Sequence, residues 1–90
     1  MDVIKRSGKK QKFARSKLER AIERAAKEGR VEARKVRDIA REVAEGIERS
    51  FRGRKSVRSV EIRRRTLRRL SSRSRAAVMA WMRYDRARRS

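Results

Sequence analysis

Val36-Arg37-Asp38-Ile39-Ala40-Arg41-Glu42-Val43-Ala44-Glu45-Gly46-Ile47-Glu48-Arg49-Ser50-Phe51 decides the fold of this chain. Its apolar residues, Val36, Ile39, Ala40, Val43, Ala44, Ile47 and Phe51, recur at i, i+3, i+4, i+7, i+8, i+11 and i+15. That spacing is one continuous stripe along about four turns of an amphipathic helix, closed by Gly53. Composition alone leaves the fold open, because Val, Ile, Leu and Phe make up 17 of 90 residues, near the boundary for disorder. A disordered chain has no reason to keep a stripe, so the stripe predicts an ordered domain from residue 3 to about residue 85.

On the N-terminal side, Ser16 and Glu19 have the spacing of a capping box. Leu18, Ile22, Ala25 and Ala26 follow with helical spacing, and Gly29 ends that helix. Before it, Val3-Ile4-Lys5-Arg6, Ser7-Gly8-Lys9 and Lys10-Gln11-Lys12-Phe13 read as a short hairpin, with Gly8 supplying the turn. An isolated two-stranded hairpin does not persist in water, so it must lie on the helices. On the C-terminal side, Val57 sits in a third short extended stretch, and Ser59 is positioned as a cap. A third helix carries Ile62, Leu67 and Leu70, and Ser71 to Ser74 break it. A fourth starts near Arg75 and is expected to bury Ala77, Val78, Trp81 and Met82 or Tyr84. The predicted class is α+β, a hairpin capping a bundle of three to four helices. Residues 1–86 form one domain, with a basic tail at 87–90.

Charge is the second constraint. The chain carries 31 Lys plus Arg against 11 Asp plus Glu, a net charge of +20, and Arg outnumbers Lys 23 to 8. The charge is uneven: net +5 over residues 1–15, +1 over 16–48 and +14 over 49–90. With no His and no Cys, zinc ribbons, disulfides and Ser-His-Asp or Cys-His catalysis are excluded. No carboxylate cluster suggests metal-assisted phosphoryl transfer, so no enzyme is expected. No apolar run is long enough to span a membrane, and the first ten residues are too polar for a signal peptide. A cytoplasmic chain without a membrane partner is expected.

The order of residues resembles the ATP-cone domain. Val3-Ile4-Lys5-Arg6-Ser7-Gly8, then Phe13, then Lys17-Leu18, is similar to that family's opening motif. Val57-Arg58-Ser59-Val60-Glu61-Ile62 resembles its second element, and Ala80-Trp81-Met82-Arg83-Tyr84 its closing one. The resemblance implies a purine nucleotide, ATP or dATP, bound under the hairpin, and regulation of ribonucleotide reductase or of its genes. Carried over position by position, it assigns nucleotide binding to Val3, Lys5, Arg6, Lys17 and Ser59. Ser7, Ala14 and Arg63 depart from the family pattern. Read without it, Lys5 and Arg6 are ordinary solvated hairpin residues, and Trp81 and Tyr84 are core.

A nucleotide needs only a few cations, which leaves the +14 of residues 49–90 unexplained. Phosphate backbone explains it, and Arg is suited to bidentate phosphate contacts. The leading expectation is therefore a nucleic-acid-binding protein on an ATP-cone-like scaffold, with no cofactor required. Its expected partner is RNA, ahead of duplex DNA, in a ribosomal or other ribonucleoprotein assembly. The contacts would come from Arg58, Arg63, Arg64, Arg65, Arg68, Arg69, Arg73, Arg75, Arg83, Arg86, Arg88 and Arg89. The alternative is an ATP- or dATP-binding regulatory domain acting in trans on the reductase or on its gene expression.

Overall fold

The structure, a computed structural model, describes residues 1–89 and all their side chains except that of Arg89. Strands β1 (Asp2–Ile4) and β2 (Lys10–Lys12) are followed by helices α1 (Arg15–Glu28) and α2 (Ala33–Ser50). Strand β3 (Ser56–Arg58) runs directly into α3 (Ser59–Ser71), and α4 (Arg75–Arg89) completes the chain. The architecture is α+β, with a three-stranded mixed sheet at one end of four helices. α4 continues through residues 87–89, which the sequence reading assigned to a tail; Ser90 lies outside the described residues.

The α2 stripe organises two adjoining cores. Its first part, Val36 to Ala44, packs with Ile22 and Ala26 of α1, Leu70 of α3 and Ala77 of α4. Its last part, Ile47, joins Phe51, Val57 and Ile62 beneath the sheet, where Met1, Val3 and Phe13 cover them. One helix thereby connects the bundle to the hairpin, which answers the hairpin's need for a support. β1 is the central strand. It pairs antiparallel with β2, Val3 opposite Gln11, and parallel with β3, Val3 opposite Val57. The loop between β1 and β2 runs from Lys5 to Lys9, so Lys5 and Arg6 lie in the loop and not in a strand, and Gly8 has φ 88°.

Four local expectations are corrected. Ser16 does not cap α1: the N-cap is Ala14, whose carbonyl accepts the Lys17 and Leu18 amides. Glu19 pairs instead with Arg15 at 3.4 Å, so no capping box forms. Ser59 is the first residue of α3, the N-cap being Arg58, with no side-chain cap bond. The serine that does cap is Ser74, whose Oγ accepts the Ala77 amide at 3.1 Å. Gly29 ends α1 as expected but has φ −80°, and the left-handed residue is Arg30 at φ 61°. What requires glycine at 29 is a close approach: a Cβ there would lie 2.7 Å from the Ala76 carbonyl carbon.

That approach also explains the fourth correction. Because α1 and α4 come so near, α4 buries its small face, Ala77 and Ala80, while Val78 and Trp81 are half-buried. Met82 and Tyr84 are exposed, contrary to the expected core. In α3 the buried residues are Ile62, Thr66 and Leu70, with Leu67 only partly covered. Thr66 is fully buried and donates its hydroxyl to the Ile62 carbonyl at 2.7 Å, so its one polar group is satisfied.

Candidate functional site

The parallel pairing of β1 with β3 places Ile4 beside Arg58. The chain leaving β1 enters the Lys5–Lys9 loop, and the chain leaving β3 enters α3. A cationic loop and a helix N-terminus therefore meet at one edge of the sheet. Helix N-termini present unpaired amides and a partial positive charge, and here no side chain occupies that position. Anions are bound at such places.

The meeting point is a cleft of about 510 Å³ lined by Lys5, Arg6, Ser59, Val60, Arg63, Trp81, Asp85 and Arg88. It continues over Ile4, Gly8 and Arg58. The volume is within the range of small-molecule sites. Four cations and one carboxylate make it strongly electropositive. Arg63 Nε donates to Asp85 Oδ2 at 2.6 Å, which fixes α3 to α4 across the cleft floor. Trp81 supplies the only aromatic wall among these lining residues.

Of the nucleotide-binding residues named from the sequence, the structure brings Lys5, Arg6 and Ser59 together. Val3 sits inside the sheet over the second core, and Lys17 is exposed on the first turn of α1; neither lines the cleft. Sequence reasoning did not select Val60 or Asp85 as site residues, and it favoured core over base stacking for Trp81. Asp85 was detectable in principle, since it is one of only two acids after residue 48. Trp81, Asp85 and Arg88 also wall a separate hollow of about 210 Å³ between α1 and α4. There the Tyr84 ring has the Arg24 guanidinium 4.8 Å from its centroid and that of Arg88 at 5.7 Å.

The arginines assigned to nucleic acid divide into several sets. Arg64, Arg65, Arg68 and Arg69 are exposed along α3, and Arg58 is exposed at the end of β3. Arg63 and Arg88 belong to the cleft. Arg73 Nη1 is engaged with both oxygens of Glu42, at 2.7 and 2.6 Å. Arg75, Arg83 and Arg86 are exposed on α4. The side chain of Arg89 lies outside the described residues.

Among the described residues no group of His, Cys, Asp and Glu could hold a metal ion, and no helix is long and apolar enough to cross a membrane. No curated protein matches the chain. The family comparison gives one result, a match to the ATP cone domain over residues 1–90. ATP-cone domains are regulatory modules that bind ATP and dATP. A polyphosphate-sized electropositive cleft, formed where the hairpin loop meets the start of α3, accords with that match, and the chain belongs to the ATP-cone domain family.

Proposed function

We propose that this chain is an ATP- or dATP-binding regulatory domain, non-enzymatic and cytoplasmic. It acts in trans on a ribonucleotide reductase or on the expression of its genes. The observation that carries this reading is the convergence of Lys5 and Arg6 with the uncapped N-terminus of α3 at one cleft. The β- and γ-phosphates lie against Lys5 and Arg6, where charge-assisted bonds are strongest. The Ser59 hydroxyl and the first amides of α3 take a further phosphate oxygen. The base lies toward Trp81.

Nucleic-acid binding, the first expectation from composition, takes second place here. The family match spans residues 1–90 and concerns a nucleotide-binding domain. The outward arginines of α3 line an adjoining surface that shares Arg58 and Val60 with the cleft.

Isothermal titration with ATP and dATP tests the proposal. Each is expected to bind the unmodified chain with saturable 1:1 stoichiometry. Lys5→Ala with Arg6→Ala is expected to weaken binding by about 30-fold or more, the equivalent of losing at least one charge-assisted bond. Absence of binding to the unmodified chain at millimolar nucleotide overturns the proposal. Unchanged affinity in the double variant overturns the placement of the phosphates.

A further inference from the structure

We propose that the outward face of α3 is a docking surface for the phosphate backbone of structured RNA, adjoining the nucleotide cleft and sharing Arg58 and Val60 with it. Arg58, Arg64, Arg65 and Arg68 surround a shallow groove of about 420 Å³ together with Val60 and Glu61. Glu61 is its only carboxylate, and Arg54 holds it at 3.5 Å. Among the described residues Arg64, Arg65 and Arg68 have no ion-pair partner. Arg15 by contrast meets Glu19, Glu45 and Glu48, and Arg73 meets Glu42. The α3 row thus concentrates uncompensated charge beside a single carboxylate. A folded domain that keeps such a row bears its self-repulsion until a polyanion neutralises it.

Two members of the row, Arg65 and Arg69, are also held in place. The Arg65 guanidinium lies 5.2 Å from the centroid of the buried Phe51 ring, and that of Arg54 lies 5.6 Å from it. Arg69 lies across Gly46, where a Cβ would be 2.5 Å from its Nη1, and donates to Ser50 Oγ at 3.2 Å. Side chains fixed before binding lose less freedom on binding. Arg64 and Arg68, one turn apart, are separated by about 6 Å along the helix axis, as are Arg65 and Arg69.

Backbone phosphate is the principal match for this face; the one base edge its arginines pair with is guanine. Phe51 is covered and offers no stacking surface. The chain has no Asn, and its single Gln, Gln11, is on β2, so the side chains that read adenine are missing here. Double-stranded RNA is recognised by shape and phosphates across a wide, shallow groove. α3 packs on both α2 and α4 and presents a broad face, which suits that groove better than the B-form major groove, into which a projecting helix inserts.

Fluorescence anisotropy of a labelled RNA hairpin with the full chain tests this. Four phosphate contacts give a slope of log K against log salt of about −3.6. Arg64→Glu with Arg68→Glu is expected to cut affinity by about 100-fold and flatten the slope by about 2, with nucleotide affinity within twofold. Should the reversed charges prevent folding, Arg64→Gln with Arg68→Gln is expected to cut affinity by about 10-fold with the same loss of slope. Lys5→Ala with Arg6→Ala leaves RNA binding unchanged. The proposal is overturned if the unmodified chain does not bind RNA at low salt, or if neither α3 variant changes the slope. It is equally overturned if the Lys5 and Arg6 variant abolishes RNA binding, or if a DNA duplex of equal length binds more tightly at every salt concentration.

Discussion

Two of the four glycines are predicted to respond with opposite sign to the same added methyl group. Gly29 and Gly46 both have neighbours inside contact distance of a built Cβ, and neither has a positive φ. At Gly29 the neighbours are backbone: the Ala76 carbonyl carbon at 2.7 Å, its oxygen at 2.8 Å and the Ala77 nitrogen at 2.8 Å. Backbone cannot rotate aside, so Gly29→Ala must push the first turn of α4 away from α1. Overpacking of this kind costs about 2 kcal/mol, and the lower entropy of the unfolded alanine chain returns about 0.7 kcal/mol, leaving a loss of about 1.3 kcal/mol. For a domain of this size that lowers Tm by about 5–10 °C. At Gly46 the nearest atoms are Nη1 and Cζ of Arg69, at 2.5 and 2.9 Å, the far end of a flexible side chain. Arg69 swings out and gives up its bond to Ser50, worth about 0.5 kcal/mol. Alanine inside a helix gains about 0.9 kcal/mol over glycine, so Gly46→Ala is expected to raise Tm by about 2–3 °C. Melting followed by circular dichroism at 222 nm reads both. If Gly29→Ala melts at or above the unmodified chain, or Gly46→Ala melts well below it, the reasoning from these contacts is refuted.

Two further outcomes follow from the buried threonine and the cleft carboxylate. Thr66→Val removes a hydroxyl whose acceptor, the Ile62 carbonyl, is within an α-helix and keeps its main-chain partner; the change in stability in urea should be under about 1 kcal/mol. Asp85→Asn removes the carboxylate of the cleft, so nucleotide affinity measured by titration should rise about fivefold at low salt, the equivalent of about 1 kcal/mol of relieved repulsion. The gain should fade with added salt. A weaker affinity would mean that Asp85 touches the nucleotide directly.

The elements were legible where one local rule dominated. The α2 stripe is long and unbroken, and its identity as a helix needs no other information. Gly8 reads as a turn because its neighbours are polar and the flanking residues extended. The helix starts were harder. Ser16 and Glu19 fit a capping box, yet Glu19 pairs with Arg15, which also meets Glu45 and Glu48 of α2. That competition comes from tertiary structure and leaves no trace in the local sequence. In α4, Val78, Met79, Trp81, Met82 and Tyr84 spread around the helix, so hydrophobicity marks no single face. The choice fell to Ala77 and Ala80 because only small side chains fit against α1 where Gly29 comes close.

The candidate site was legible as a list of cations but not as a place. Lys5 and Arg6 are more than fifty positions from Ser59, and they meet it through a parallel pairing of two three-residue strands. Strands that short have no sequence signal of register. The Arg63–Asp85 bridge was hidden for a similar reason: it depends on how α3 crosses α4, which neither helix encodes alone. Arg73 shows the reverse error. It reads as one more free cation in a basic run, and it is bound to Glu42 of α2.

The parallel pairing of β1 with β3 also makes the cleft conditional on one long-range contact. The sheet is completed only when residues 2–4 meet residues 56–58, a long loop to close. The hairpin loop and the start of α3 face each other only while that pairing holds. A ligand spanning Lys5 and Ser59 would act as a latch on it. Its concentration would be registered as the fraction of chains whose first strand is seated, a signal that needs no change of shape in the helices.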